Sequence, residues 1–296
     1  MSSKPFVITG PLTVEKLDIA IESLSKSLNG LKLIQMSDFH ADAWGLSDRL
    51  LTQAIAASNR EYPDLVLLTG DFITSKPDPI DRLAPQLKKL ESRYGTYAIL
   101  GNHDLYPQEN RSRVIKTLTE AGITVLWNEI CYPCGPGLAL VGFADVRSRQ
   151  FFPDQVMPQI PDDIPRIVLA HNPDCAAQLK AWRVDLQLSG HTHGGQIYIP
   201  GLGSLPAIVA RSYDAIPEPI QRRIPGIQRM SRITQNWEWE RGYHEVSREG
   251  QRSATNPRSV PNCPVNRLYV NRGLGTYPPG RLFCTPEVTR ICLYSK

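Results

Sequence analysis

Five short polar segments in this chain each follow directly on a short apolar run, and that pattern restricts the available folds more than any other feature. The segments are Ser37-Asp38-Phe39-His40, Thr69-Gly70-Asp71, Gly101-Asn102-His103-Asp104, Ala170-His171-Asn172-Pro173-Asp174 and Gly190-His191-Thr192-His193-Gly194-Gly195. Together they hold five of the six histidines. Imidazoles scattered at random would not gather beside Asp and Asn at the ends of apolar runs. Imidazole, carboxylate and amide oxygen are the ligand set of hard-to-borderline divalent cations. In α/β sheets, ligands bind outside the carboxyl ends of the strands, so loops far apart in sequence can converge there. The chain therefore reads as a metalloenzyme.

The apolar periodicity supports this placement. Leu17, Ile19 and Ile21 alternate, as in a strand with one solvated face. The runs 31–36 and 65–68 read as buried strands. Leu46, Leu50, Leu51 and Ile55 recur at helical spacing, with Ser47 placed to cap. Leu83, Leu87 and Leu90 mark a second amphipathic helix ending near Gly95, and Val114, Ile115 and Leu118 a third closed by Gly122. A strand over 97–100 lies between them. The runs 123–127, 130–132 and 138–143 follow one another with little room for helices, which predicts antiparallel pairing. Strands at 167–169 and 186–188 flank a helix containing Ala177, Leu179 and Trp182, and strands at 268–270 and 288–293 close the chain. Strand–helix alternation followed by β-rich structure predicts an α/β fold of two packed sheets with helices outside.

Length, 296 residues, allows one large α/β domain or two small ones. A net charge of +4 is too weak a basic balance to predict a nucleic-acid partner. No apolar run approaches a membrane span, and Lys4 is not followed by the apolar core of a secretory signal, so the expected location is cytoplasmic, with the six cysteines reduced. Cys131-Tyr132-Pro133-Cys134 has metal or redox spacing, but no second pair completes a zinc site, so two thiols flanking a turn is the favoured reading. The stretch 205–264 has little periodicity, many Pro and Arg, and no convincing strand, and is expected to be an irregular insertion. Its arginines, from Arg222 to Arg258, make either a solvated loop or a patch for peripheral contact with an anionic membrane surface or a polyanionic substrate.

Convergence of the five segments would bring the carboxylates of Asp38, Asp71 and Asp104, five imidazoles and the Asn102 amide together. Two cations sharing one carboxylate fit that count better than one. The ordered set Asp38-x-His40, Gly70-Asp71, Gly101-Asn102-His103-Asp104, His171 and Gly190-His191-x-His193 resembles the calcineurin-like metallophosphoesterase superfamily. Gly194-Gly195-Gln196-Ile197 and Asn271-Arg272-Gly273-Leu274-Gly275 further resemble its bacterial YkuE-like branch of phosphodiesterases, usually found near the membrane. The resemblance implies a single domain over 1–296, with catalytic motifs within 33–195, two mixed sheets in an α/β/β/α sandwich, and two divalent ions, manganese, iron or zinc.

It implies that Asp38, His40 and His193 hold the first ion, that Asn102, His171 and His191 hold the second, and that Asp71 bridges them. The activity implied is hydrolysis of a phosphodiester or pyrophosphate, in a small molecule or a lipid, by a hydroxide between the ions. His103 would protonate the leaving group or bind the phosphoryl oxygen, and Asp104 would orient His103. Asp145 reads as a turn residue, His244 as surface, and Arg272 and Arg281 as solvated or in contact with substrate phosphate. A phosphomonoesterase, a protein phosphatase and a non-catalytic metal-binding scaffold are the alternative functions.

Overall fold

The computed structural model describes residues 7–41, 45–214, 216, 234–248 and 265–296. The strands run in chain order β1 (Thr13–Ile21), β2 (Leu31–Met36), β3 (Leu65–Leu68), β4 (Thr96–Ala98), β5 (Thr124–Val125), β6 (Glu129–Cys131) and β7 (Ala139–Gly142). They continue as β8 (Arg166–Leu169), β9 (Leu186–Ser189), β10 (Tyr198–Ile199), β11 (Gly203–Ser204), β12 (Gly242–Ser247), β13 (Val265–Val270) and β14 (Glu287–Ser295). The α-helices are α1 (Asp48–Arg60), α2 (Ile80–Leu87), α3 (Gln108–Glu120), α4 (Pro153–Val156), α5 (Cys175–Gln178) and α6 (Leu205–Asp214).

Leu33 and Ile34 are neighbours in β2 and both are fully buried, which requires cover on both faces of the sheet. Leu33, Leu65 and Leu67 point into a core shared with Leu140, Ile167, Leu169, Leu186 and Leu188 of a second sheet. Ile34, Met36, Val66 and Leu68 point the other way, onto Leu51, Ile55, Leu83, Leu87, Val114 and Leu118 of α1, α2 and α3. On the far side Val141 and Val168 pack with Val156 and Leu179. The layers are thus helix, sheet, sheet, helix.

Both large sheets are six-stranded and mixed, in the orders β1-β14-β2-β3-β4-β5 and β12-β13-β9-β8-β7-β6. In the first, β2, β3, β4 and β5 are parallel and β14 is antiparallel to β2. In the second, β7, β8, β9 and β13 are parallel, with antiparallel β6 and β12 at the edges. The parallel strands put the five motif loops at one end of the sandwich. Ser47 caps α1 as its position predicts, its hydroxyl accepting from the Leu50 amide at 3.1 Å.

Three expectations change. Antiparallel pairing holds for β6 and β7, but β5 lies parallel to β4 in the other sheet, because the chain crosses between sheets just after it. The second helix stops at Leu87, leaving Leu90 outside it. Within 205–264, α6 and β12 are regular. The apolar side of α6 is made of small residues, Ala207 and Ala210, with Tyr213, and edge strand β12 buries only Val246, so neither produces a strong hydrophobic pattern. Arg222, Arg223, Arg229, Arg232, Arg252 and Arg258 lie outside the described residues.

No helix among the described residues is long and apolar enough to cross a membrane. The described cysteines are free, and burial pushes the thiols of Cys131 and Cys134 up to about 11.

The two layers pack tightly at Gly142 of β7, where a β-carbon would stand 2.2 Å from Leu126 Cβ and 3.0 Å from Ile99. Gly142→Ala should therefore overpack the interface and destabilise the fold by about 1–3 kcal/mol, read as a lower urea midpoint at unchanged slope. A midpoint equal to wild type would refute this account of the close approach.

Candidate metal centre and active site

The end of each central strand delivers one motif. Asp38 and His40 follow β2, Asp71 follows β3, Asn102 and His103 follow β4, His171 follows β8, and His191 and His193 follow β9. Gln35, buried in β2, ties the two sheets together here by donating to Thr69 Oγ1 at 3.1 Å and to the Ser189 carbonyl at 2.9 Å. The loops must then turn sharply. Asp38, His40, Asp71, His191 and His193 all have left-handed φ, between 45° and 73°. Non-glycine residues adopt that region at a cost, and such strain concentrates at functional sites. Gly190 makes a close approach possible, since a β-carbon on it would lie 2.2 Å from Asp38 Oδ2.

Ligand atoms gather in two buried groups, Asp38 with His40 and His193, and Asp71 with His171 and His191, each within 4.8 Å. His193 Nε2 lies 3.3 Å from Asp38 Oδ1 and 3.0 Å from His40 Nε2. One oxygen, Asp71 Oδ2, faces both groups, 3.5 Å from His40 Nε2 and 3.1 Å from His171 Nε2. Its other oxygen accepts from the His103 amide at 2.8 Å. Asn102 Oδ1 is buried without a hydrogen-bond partner among the described residues, although buried polar atoms are nearly always paired.

The far nitrogens of the rings are anchored. Nδ1–H donates to the Thr69 carbonyl from His171 at 2.7 Å, to the Gly275 carbonyl from His193 at 3.3 Å, and to the Thr74 carbonyl from His103 at 2.7 Å. His40 Nδ1 meets Thr74 Oγ1 at 3.2 Å and Tyr277 Oη at 2.8 Å. Such bonds fix the tautomer and leave Nε2 available, as in histidines that bind metals. A buried amide oxygen without a donor, facing imidazole nitrogens and carboxylates, fits divalent cations.

The electrostatics match. Burial alone would raise the Asp71 carboxyl, but His171, His40 and His103 hold it well below its ordinary value. Burial would lower His171, but Asp71 and, behind it, Asp38 and Asp145 push it up to about 10. Burial and the neighbouring His40 keep His193 well below the usual range, neutral and ready to coordinate.

Asp104 does not touch the His103 ring, whose partner is the Thr74 carbonyl. Its carboxylate is fully buried and accepts from the backbone amides of Asp71, Phe72, Ile73 and Gly101 at 2.9–3.1 Å. Burial and the charge on Asp71 push it up to about 8, yet all four partners are donors, which only the ionised carboxylate satisfies. Asp104 therefore shapes the Asp71 loop instead of orienting the imidazole.

Arg272 and Arg281 also depart from expectation. Arg272 pairs with Glu15 and Glu287. Arg281 is 4% exposed and donates to the carbonyls of His193, Arg272, Gly273, Gly275 and Cys284. Asp145 caps a short turn by accepting from the Arg147 amide at 2.8 Å, as its position suggested. His244 sits in β12, bonded to the Arg241 carbonyl.

A cavity of about 180 Å³ opens over the two groups, and Arg147, Gln196, Pro206, Trp237 and Tyr277 complete its walls. Of these, sequence reasoning named only Gln196, as part of the Gly194-Gly195-Gln196-Ile197 motif and without a role. Tyr277 lies just beyond a recognisable motif, while Arg147 and Trp237 carry no local signal. A larger groove of about 710 Å³ beside α1 lies elsewhere, and its walls hold neither imidazole nor carboxylate.

The chain belongs to the calcineurin-like phosphoesterase family, whose model matches residues 31–195. It is a metal-dependent phosphoester hydrolase. It is 30% identical to Phosphodiesterase YaeI of Escherichia coli, over 88% of this chain and 81% of that one. It is 30% identical to the uncharacterized metallophosphoesterase YkuE of Bacillus subtilis, over 96% and 87%. It is 24% identical to the UDP-2,3-diacylglucosamine pyrophosphatase LpxG of Chlamydia muridarum, over 96% and 90%.

Asp104→Ala would leave buried amides without an acceptor and should destabilise the protein by about 3 kcal/mol or more, whereas His103→Gln should unfold within a few tenths of wild type in urea. Equal midpoints for the two variants would remove the loop-shaping role. Since the His171 proton persists up to about pH 10 in the metal-free site, cation uptake must expel it. Affinity for manganese should therefore rise with pH from 6.5 towards 10, with proton release seen calorimetrically in buffers of different ionisation enthalpy. Uptake without proton release would contradict this electrostatic picture.

Proposed function

We propose that this chain is a dinuclear-metal-dependent phosphodiesterase acting on a phosphodiester or pyrophosphate bond of a small molecule or lipid. The observation that carries this reading is the position of Asp71 Oδ2 between His40 Nε2 and His171 Nε2. In this reading Asp38, His40 and His193 hold one ion, Asn102, His171 and His191 hold the other, and Asp71 contacts both. The names of YaeI and LpxG, a phosphodiesterase and a pyrophosphatase, support the substrate class. Nitrogen and oxygen ligands without thiolate favour manganese, iron or zinc. Bound ions would acidify water and offset charge on the phosphoryl oxygens.

The chain's own groups do the rest. Asp71, His40 and His171 fix the spacing of the two groups, and Gln35 keeps the strand ends from separating. His103 has its Nδ1–H committed to the Thr74 carbonyl, so Nε2 is the atom that passes a proton to the departing alkoxide. Tyr277 packs over His40 and His193, with ring centroids 4.8 and 5.3 Å away, and keeps water from that side.

The test compares bis(p-nitrophenyl) phosphate with p-nitrophenyl phosphate in the presence of manganese. Wild type should favour the diester and carry two ions per chain by metal analysis, as the proposal requires. Asp71→Asn should lose metal-dependent turnover and bind fewer ions while keeping its circular dichroism, and His103→Gln should lower kcat by about 10²–10⁴-fold. Full activity in Asp71→Asn would overturn the dinuclear reading, and preference for the monoester would overturn the diesterase assignment.

A further inference from the structure

His171, His193 and His103 each rest Nδ1–H on a main-chain carbonyl, of Thr69, Gly275 and Thr74 respectively. His40 is held differently. Its Nδ1 meets two side-chain hydroxyls, Tyr277 Oη at 2.8 Å and Thr74 Oγ1 at 3.2 Å. Tyr277 Oη also lies 3.4 Å from His40 Nε2, so Nδ1 is the nearer nitrogen. Tyr277 comes 237 residues after His40, outside every ligand motif, and lines the cavity over the two groups.

The residue is fixed by its backbone and by its ring. Its amide donates to Gln196 Oε1 at 2.7 Å. Gln196 itself has φ +55°, a region that a non-glycine residue adopts at a cost, and strain of that kind gathers at functional sites. The amides of Leu274 and Gly275 donate to the carbonyls of Ser37 and Asp38 at 3.0 and 2.6 Å. A β-carbon on Gly275 would stand 2.9 Å from His40 Cβ, so the glycine lets this segment lie directly against the first motif. The phenol ring then packs on His40 and His193, with centroids 4.8 and 5.3 Å away.

We infer that Tyr277 is a positioning residue that acts through His40. Its hydroxyl oxygen accepts the Nδ1–H and so fixes the tautomer and ring orientation that present Nε2 to a divalent cation. This role rests on the reading of Asp38, His40 and His193 as the ligands of one ion, and it adds the residue that sets how tightly that ion is held. A neutral imidazole that coordinates through Nε2 carries its proton on Nδ1, and an acceptor placed there raises the basicity of the ligating nitrogen. Thr74 reinforces the arrangement. Its hydroxyl meets His40 and its carbonyl accepts from His103, so one residue steadies both a proposed metal ligand and the proposed proton donor.

The experiment titrates the chelator-treated full chain with manganese and follows binding calorimetrically. Wild type should take up two ions, as the dinuclear reading requires. Tyr277→Phe keeps the ring and loses the hydroxyl, so one ion should bind about 10–100-fold more weakly and the other within about twofold of wild type. His40→Gln should weaken the same ion. Adding Tyr277→Phe to His40→Gln should then change nothing further, because the hydroxyl acts only through that ring. Tyr243→Phe, at an exposed tyrosine of β12, should match wild type within about twofold. Turnover of bis(p-nitrophenyl) phosphate gives a second readout. Tyr277→Phe should be slow at limiting manganese and recover kcat to within about threefold at saturation, whereas His103→Gln stays slow.

Equal manganese affinities in Tyr277→Phe and wild type overturn the positioning role. So do equal losses at both ions, a further loss in the double variant, or a kcat that stays low at saturating manganese. If wild type takes up a single ion, the dinuclear reading falls alone; Tyr277 keeps its role if Tyr277→Phe weakens that ion and loses it if the affinity is unchanged. If wild type takes up no ion, both fall.

Discussion

The site depends on keeping one buried carboxylate ionised and aimed. Asp71 is 1% exposed, and a bare carboxylate there would pay a large desolvation penalty. Two sets of groups offset it. Imidazoles converge on Oδ2, while the His103 amide donates to Oδ1. Behind it Asp104 accepts from four backbone amides, which fixes the left-handed turn that points Asp71 forward. One acid faces the chemistry, and the next shapes the loop that carries it.

The sandwich makes that convergence possible. Asp38 and Asp71 come from one sheet, and His171, His191 and His193 from the other, so neither sheet alone holds a complete group. The Gln35 side chain crosses between them at the point where the loops leave their strands. Arg281 does similar work at the rim, gathering five carbonyls around the His193 loop. These polar links are buried, so they favour one register of loops over its neighbours.

The stretch after the last ligand motif has a different part. It reads as an interruption, yet α6, the Trp237 segment and β12 are tied to the catalytic loops through Ser204, Asp174 and Glu240. Its Pro206 and Trp237 line the same cavity as Arg147.

The sequence by itself determined the layered α/β class and the strand-end placement of every ligand candidate, and it suggested the two-metal reading proposed above, because apolar runs and ligand residue types are local and survive in one dimension. It placed Ser47 as a cap for the same reason. It misjudged Asp104, Arg272 and Arg281, because a charged residue beside a motif looks alike whether it faces substrate or backbone. Only the tertiary structure decided that Asp104 meets four amides, that Arg281 meets carbonyls, and that Arg147 and Trp237 share a cavity with residues far away in the chain. Those outcomes depend on how loops pack against one another, and nothing in local periodicity encodes the partner.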